Sequence, residues 1–135
     1  MSALDTSVVV PALLSWHEAH QVAREAAAGG YLPAHAQLES YSVLTRLPAP
    51  HRIDGDVAHE AIRRWFPRDR VLVPSAKTVR TLVDHLAAAG IEGGAVYDAL
   101  IGLTSAEHGM ELAARDARAA RTYARLGIAH HLVGS

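Results

Sequence analysis

Four carboxylate side chains that lie far apart in the sequence are the residues best suited to carry out chemistry. They are Asp5, Glu39, Asp98 and Asp116. Asp5 stands in the otherwise strand-like stretch ALDTSVVV, and Asp98 is flanked by apolar residues in GGAVYDALIGL. A charged carboxylate is costly to bury without a partner. The surroundings of these two residues therefore indicate that each has one.

A shared cation is the partner that these residue types favour. Four carboxylates in one pocket would repel each other unless they were protonated or neutralised. Oxygen ligands suit Mg²⁺ or Mn²⁺ and give soft metals little reason to bind. A cation held in this way can activate water and clamp a phosphodiester. The residues thus predict metal-dependent phosphodiester chemistry, provided that the fold brings them together.

Short apolar runs alternate with longer amphipathic segments, which is typical of an α/β protein with a parallel sheet covered on both faces. Strands are predicted over about Ser2–Asp5, within GYLPAH, and over Arg70–Val73, Met110–Ala114 and Ile128–Val133. Helices are predicted over Ser7–Leu14, Trp16–Ala28, Ala34–Leu47, Gly55–Trp65, from a Ser75 cap to Gly90, Gly94–Glu107 and Ala117–Leu126. Two helices carry an apolar stripe that predicts a buried face: Val57, Ala61 and Trp65 in one, and Val79, Leu82, Val83 and Leu86 in the other.

All four acids are predicted to lie at one edge of this sheet. Ligands of such sheets bind beyond the carboxyl ends of the strands, and Asp5 closes the first strand while Asp116 follows the fourth. Glu39 and Asp98 lie in the early turns of helices that begin at the same edge. Three of the acids also have a structural interpretation: Asp116 as a helix N-cap, Asp98 as a partner of a helix dipole, and Glu39 as a solvated side chain. Asp5 is the hardest to explain in that way.

The composition predicts one domain, residues 1–135, with a core that needs no covalent staples. The chain has no cysteine, which excludes disulfides and thiolate metal sites. A net charge of −1 gives no overall attraction to nucleic acid, although arginines cluster over 63–80 and 115–125. The sequence shows neither a signal-peptide pattern nor an apolar run of membrane length, so a cytoplasmic protein is expected.

Four stretches resemble, in order, the acidic blocks of PIN-domain proteins, and above all the VapC-type toxins of bacterial toxin–antitoxin pairs. The stretches are LDTSVVVPALL, ESYSVLTRLP, VYDALIGLTSAEHG and LAARDARAARTYARLGI. The resemblance implies a three-layer α/β/α sandwich with a five-stranded, mainly parallel sheet. It also implies a Mg²⁺- or Mn²⁺-dependent endoribonuclease that forms homodimers and is inhibited by a VapB-type antitoxin.

The resemblance assigns catalytic and metal-binding roles to the same four acids. Asp5 and Asp98 match the most direct metal ligands, and Glu39 and Asp116 complete the acidic pocket. Thr6 matches a position that often supplies a hydroxyl near the metal. One position departs from the family pattern: Ala114 stands where many relatives have Thr or Ser, which removes a polar group near Asp116.

Other catalytic patterns fit the sequence less well. His17 and His20 in WHEAHQ are three residues apart, whereas the zinc-protease motif requires four. A phosphatase with an aspartate nucleophile at Asp5 would need a second aspartate where Ser7 stands. Two alternatives stay open: a catalytically silent interaction module whose acidic pocket binds a partner's arginine, and a nuclease of the same fold that acts on DNA.

Overall fold

Five short parallel strands form two sheets in the computed structural model, which describes residues 1–134. The strands are β1 (Ser2–Leu4), β2 (Leu32–Pro33), β3 (Val71–Leu72), β4 (Glu111–Ala114) and β5 (His130–Leu132). One sheet has the order β1-β4-β5 and the other pairs β2 with β3. A single parallel bridge between Ala3 and Tyr31 links the two sheets. The α/β class is therefore confirmed, whereas the described residues do not form one continuous five-stranded sheet.

The helices lie close to the positions that the sequence predicted. They are α1 (Thr6–Leu13), α2 (His20–Ala27), α3 (Ala34–Thr45), α4 (Gly55–Trp65), α5 (Ala76–Ala89), α6 (Ala95–Glu107) and α7 (Ala117–Arg125). The main difference is at α2, which begins at His20 rather than Trp16. The preceding residues form turns, in which His17 accepts a hydrogen bond from the Ala19 backbone N–H at 3.0 Å.

The core holds the middle of the larger sheet against its helices. Leu4 of β1 and Leu112 of β4 are fully buried, as are Val8 and Val9 of α1. Burying a valine or leucine side chain contributes about 1.5–3 kcal/mol. This packing fixes the carboxyl ends of β1 and β4 side by side, with α1 starting directly from β1.

Two predicted apolar faces are oriented differently from the prediction. In α4 the buried residues are Ala58 and Ile62, whereas Val57 is 53% exposed. In α5 only Leu86 is buried, and Val83 is 73% exposed. Both helices lie at the periphery, where one neighbouring element covers only part of an apolar surface. Among residues 1–134, no helix combines the length and the apolar character that crossing a membrane requires.

Candidate active site

A pocket of about 360 Å³ opens where β1 and β4 end, and all four predicted acids line it. The acids come from different parts of the fold. Asp5 directly precedes α1, Glu39 lies in α3, Asp98 lies in α6, and Asp116 directly precedes α7. The structure therefore brings together four carboxylates that are distributed over most of the sequence.

Hydrogen bonds hold Asp5, the most deeply buried of these acids, which is 4% exposed. Its side chain caps α1: Oδ2 accepts from the Ser7 backbone N–H at 2.9 Å and from the Ser7 hydroxyl at 2.6 Å. The hydroxyl of Tyr123 donates to Oδ1. A buried carboxylate with three donors avoids most of the penalty of desolvation. Three donors of the protein itself thus hold Asp5.

Tyr123 is a site residue that the sequence analysis did not single out. It lies in α7, is fully buried, and contacts Asp5 across 118 positions of sequence. Burial first, and then the negative charge of Asp5, raise the pKa of the Tyr123 hydroxyl far above its ordinary value. The phenol therefore stays protonated and remains a donor. A tyrosine in RTYARLGI gave no signal by its spacing, because a buried tyrosine on a helix is ordinarily a core residue.

Ser7 joins two of the segments that form the pocket. Besides donating to Asp5, its Oγ accepts a hydrogen bond from the Arg115 backbone N–H at 2.8 Å. The chain between β4 and α7 is thereby tied to the start of α1. Ser7 thus has a positioning role at the start of α1.

Thr6 faces the pocket and orients a second acid. Its Oγ1 donates to Glu39 Oε1 at 3.0 Å. The other oxygen of Glu39, Oε2, lies 3.9 Å from His35 Nε2. Glu39 is therefore held at the pocket wall and is not a freely solvated side chain.

Asp116 is an N-cap and a pocket residue at once. Its Oδ1 accepts a hydrogen bond from the Arg118 backbone N–H at 2.9 Å, which confirms the structural interpretation. The Arg118 side chain is 84% exposed, and its Nε lies 3.9 Å from the same oxygen. A pair so exposed contributes little to stability. Ala114, at the end of β4, is fully buried and offers no polar side chain to Asp116.

Burial and the other three acids both disfavour the ionised form of Asp98. Burial raises its pKa from 3.8 to about 6, with further contributions from Asp5, Glu39 and Asp116 in that order. Arg118 opposes the rise only in part. Each neighbouring carboxylate disfavours the ionised form of Asp98. A positive charge in this pocket would therefore stabilise the ionised form.

The donor set fits a hard divalent cation. All the candidate ligands are carboxylate or hydroxyl oxygens, which Mg²⁺ and Mn²⁺ prefer. No group of three or more His, Cys, Asp or Glu side chains within residues 1–134 is arranged to hold a metal ion. Mg²⁺ ordinarily takes one or two direct carboxylates and keeps several waters, so it does not require three side chains arranged around it. The all-oxygen donor set favours the fit, and so does the raised pKa of Asp98, which burial and then the three neighbouring carboxylates cause.

Comparisons with known proteins identify the family of this chain. The family model for the PIN domain matches residues 3–125. Ribonuclease VapC40 of Mycobacterium tuberculosis (strain ATCC 25618 / H37Rv) is 47% identical over 134 residues, which cover 98% of this chain and 99% of that protein. Ribonuclease VapC27 of the same strain is 45% identical over 132 residues, 93% of this chain and 92% of that protein. The chain therefore belongs to the PIN-domain family and, within it, to the VapC type.

Solved structures show the same fold at much lower identity. A structure of FitAB bound to an IR36 DNA fragment matches with a TM-score of 0.72 at 19% identity, over 98% of this chain and 94% of that one. The crystal structure of FitAcB from Neisseria gonorrhoeae matches with a TM-score of 0.68 at 21% identity, over 96% of each chain. The α/β arrangement found here is thus a PIN-like fold.

Proposed function

We propose that this chain is an endoribonuclease toxin that cleaves RNA phosphodiesters with Mg²⁺ or Mn²⁺ as cofactor and is neutralised by a cognate antitoxin. One observation carries the proposal. Four carboxylates from separate elements line one pocket, in a chain that is 47% identical to ribonuclease VapC40 over nearly its full length.

Asp5 and Asp98 are the proposed direct ligands of the cation, and Glu39 and Asp116 are proposed to hold its water molecules. When bound, the cation supplies an activated water and stabilisation of the leaving oxygen. Asp98 is a favoured ligand, because a bound cation would offset both the burial and the repulsion that raise its pKa. Asp5 is held rigidly by its hydrogen bonds to Ser7, and Glu39 is oriented by Thr6.

The substrate of this site is proposed to be single-stranded RNA, and the product to carry a 5′-phosphate. The arginines near the pocket would hold the RNA backbone through electrostatic contacts, which weaken as salt is added. Arg115 lines the pocket, and Arg118 is exposed beside Asp116. We place this activity in the cytoplasm, where RNA and an antitoxin would both be present.

The assembly is inferred from the family. A VapB-type antitoxin and a homodimer are the partners expected of a VapC-type chain. The architecture is proposed to be a single domain over 1–135 with the two sheets acting as one five-stranded sheet of a three-layer sandwich. The bridge between Ala3 and Tyr31 supports that joining.

A silent interaction module is the second candidate, and one observation favours it. Both oxygens of Asp5 already accept hydrogen bonds, from Ser7 and Tyr123. A pocket stabilised in this way could receive the guanidinium of a partner protein without any metal. Cleavage by the purified chain distinguishes the two functions.

The test is cleavage of total RNA by the purified chain, with Mg²⁺ or Mn²⁺ added and with a chelator as control. Asp98→Asn is expected to reduce cleavage to the level of the chelator. Asp84→Asn is the matched control, because Asp84 is an exposed carboxylate in α5 outside the pocket. Single-stranded DNA and double-stranded RNA, assayed in parallel, test the proposed substrate class.

Two results would reject the proposal. Cleavage that persists in the Asp98→Asn protein would show that another site or a contaminant is responsible. Absence of cleavage with either metal, in a chain that still binds a partner through this pocket, would favour the interaction module instead.

A further inference from the structure

A second pocket, of about 300 Å³, adjoins the acidic one, and the mechanism above does not use it. The two pockets share Thr6, Glu39 and Val43 in their linings. A volume of this size is at the lower end of the range for small-ligand pockets. A ligand bound in the second pocket would therefore lie directly beside the carboxylates.

A pair of aromatic rings forms one wall of this second pocket. The rings of His35 and Tyr97 are nearly parallel, with an interplanar angle of 8° and centroids 5.2 Å apart. His35 lies one helical turn before Glu39, and Tyr97 directly precedes Asp98. Although Tyr97 stacks on His35, it remains 53% exposed. A planar, accessible surface thus lies next to two of the acids in the sequence.

The residues around the pocket indicate which chemical groups this surface could bind. Glu39 lies in the shared wall, so an anion is disfavoured at that end. Leu38, which is 64% exposed, adds an apolar surface. Arg46 also lines the pocket and supplies the positive charge. A flat uncharged ring attached to a phosphate chain matches this distribution of aromatic, apolar and cationic groups.

We propose that this pocket receives a nucleobase of the RNA next to the scissile phosphate, stacked on Tyr97 and with the neighbouring backbone phosphate near Arg46. The inference rests on the proposed ribonuclease function. Proteins commonly recognise single-stranded RNA by stacking unpaired bases on aromatic side chains. Such stacking tolerates every base, so the pocket sets where the strand lies against the acids more than which base is read.

The experiment begins with a substrate defined by the enzyme itself. Cleavage sites of the wild-type chain are mapped by sequencing the ends of digested RNA, and an oligonucleotide carrying one such site is synthesised. Further oligonucleotides each lack the base at one of the positions that flank the scissile bond. Single-turnover cleavage is measured with the wild type, Tyr97→Ala, Tyr97→Phe and, as an exposed tyrosine outside the pocket, Tyr41→Ala.

Tyr97→Ala is expected to raise the half-saturating protein concentration by about 5- to 150-fold, the range that stacking on an aromatic side chain provides. Tyr97→Phe keeps the ring and is expected to behave like the wild type. Removal of the base at one flanking position is expected to raise the half-saturating concentration of the wild type by a similar factor. The same removal is expected to cause no further increase in Tyr97→Ala. That loss of additivity is the signature of direct contact, which a merely structural role of Tyr97 would not produce.

The outcomes separate this inference from the function on which it rests. If the wild type cleaves and Asp98→Asn does not, but Tyr97→Ala and base removal act independently at every position, the stacking site is wrong and the ribonuclease stands. Equal cleavage by Tyr97→Ala and wild type would have the same meaning. If the wild type does not cleave RNA with either metal, the proposed function fails and the inference fails with it. Circular dichroism of each variant verifies its fold.

Discussion

Replacing Asp98 by asparagine is expected to stabilise the metal-free protein while it abolishes the proposed activity. Burial and the neighbouring carboxylates raise the pKa of Asp98 from 3.8 to about 6, so the folded state holds an anion that its surroundings disfavour. At 1.36 kcal/mol for each pH unit, this corresponds to at most about 3 kcal/mol. Because the side chain is only partly buried, solvent screening reduces the expected cost to about 1–2 kcal/mol. Asparagine keeps the shape and removes the charge.

The pH dependence gives this prediction its sign. Below pH 3.8 the carboxyl is protonated in both the folded and the unfolded chain, so it does not lower the unfolding free energy. Between 3.8 and about 6 the unfolded chain releases its proton first. The contribution of Asp98 to the unfolding free energy therefore falls as pH rises through this window, and the full cost is present above it. The Asp98→Asn protein lacks this dependence, so its advantage should be seen at neutral pH and vanish in acid.

The assay is urea unfolding in the presence of a chelator, at about pH 7.5 and about pH 4. Asp84→Asn, at an exposed position of α5, is the matched control and is expected to match the wild type at both pH values. Saturating Mg²⁺ should then stabilise the wild type more than Asp98→Asn, since only binding to the folded chain contributes. An Asp98→Asn protein that is less stable at neutral pH, or equally altered at both pH values, would refute the electrostatic reasoning.

Three further predictions concern the scaffold of the site. Tyr123→Phe removes a donor from the buried carboxylate of Asp5 and is expected to lower the unfolding free energy by about 1.5–3 kcal/mol; a change too small to resolve in urea titrations would contradict the role of this bond. Ser7→Ala should cost about 1–3 kcal/mol, because a buried charged acceptor loses a hydroxyl donor, and should also slow RNA cleavage under single-turnover conditions. Gly102→Ala would place a methyl group 2.6 Å from Ile128 Cδ1 and 2.9 Å from Tyr123 Cδ1 and is expected to cost about 1–3 kcal/mol by overpacking. Gly94→Ala is the control in thermal unfolding, because the added methyl group meets nothing within 4 Å. Equal melting temperatures of the two variants would show that the packing at Gly102 is looser than described.

The positions of the acids along the chain were informative because strand polarity is regular. Asp5 and Asp116 each follow a strand of one parallel sheet, and such strands end at a common edge. Glu39 and Asp98 lie near the starts of helices that leave the same edge. Local patterns alone therefore placed four distant residues in one pocket.

Patterns were less informative where only one face of an element is covered. The α4 sequence offers Val57, Ala61 and Trp65 at helical spacing, and equally offers Ala58 and Ile62. Periodicity cannot say which set a neighbouring helix covers, and the structure buries the second. The pairing of strands into two linked sheets was likewise beyond the sequence, because strands of two or three residues carry little register information.

The sequence by itself determined the α/β class, the order of the elements and the edge at which the carboxylates meet, since each depends on local periodicity and on the direction of the chain. The donors from Ser7 lie only two residues from Asp5, whereas only the tertiary structure decided its third donor. Its partner Tyr123 lies 118 positions away, and no local pattern encodes a contact that forms only after α7 has packed against the sheet. The same holds for the stacking of His35 on Tyr97, because two helices must first be placed side by side before their rings can meet.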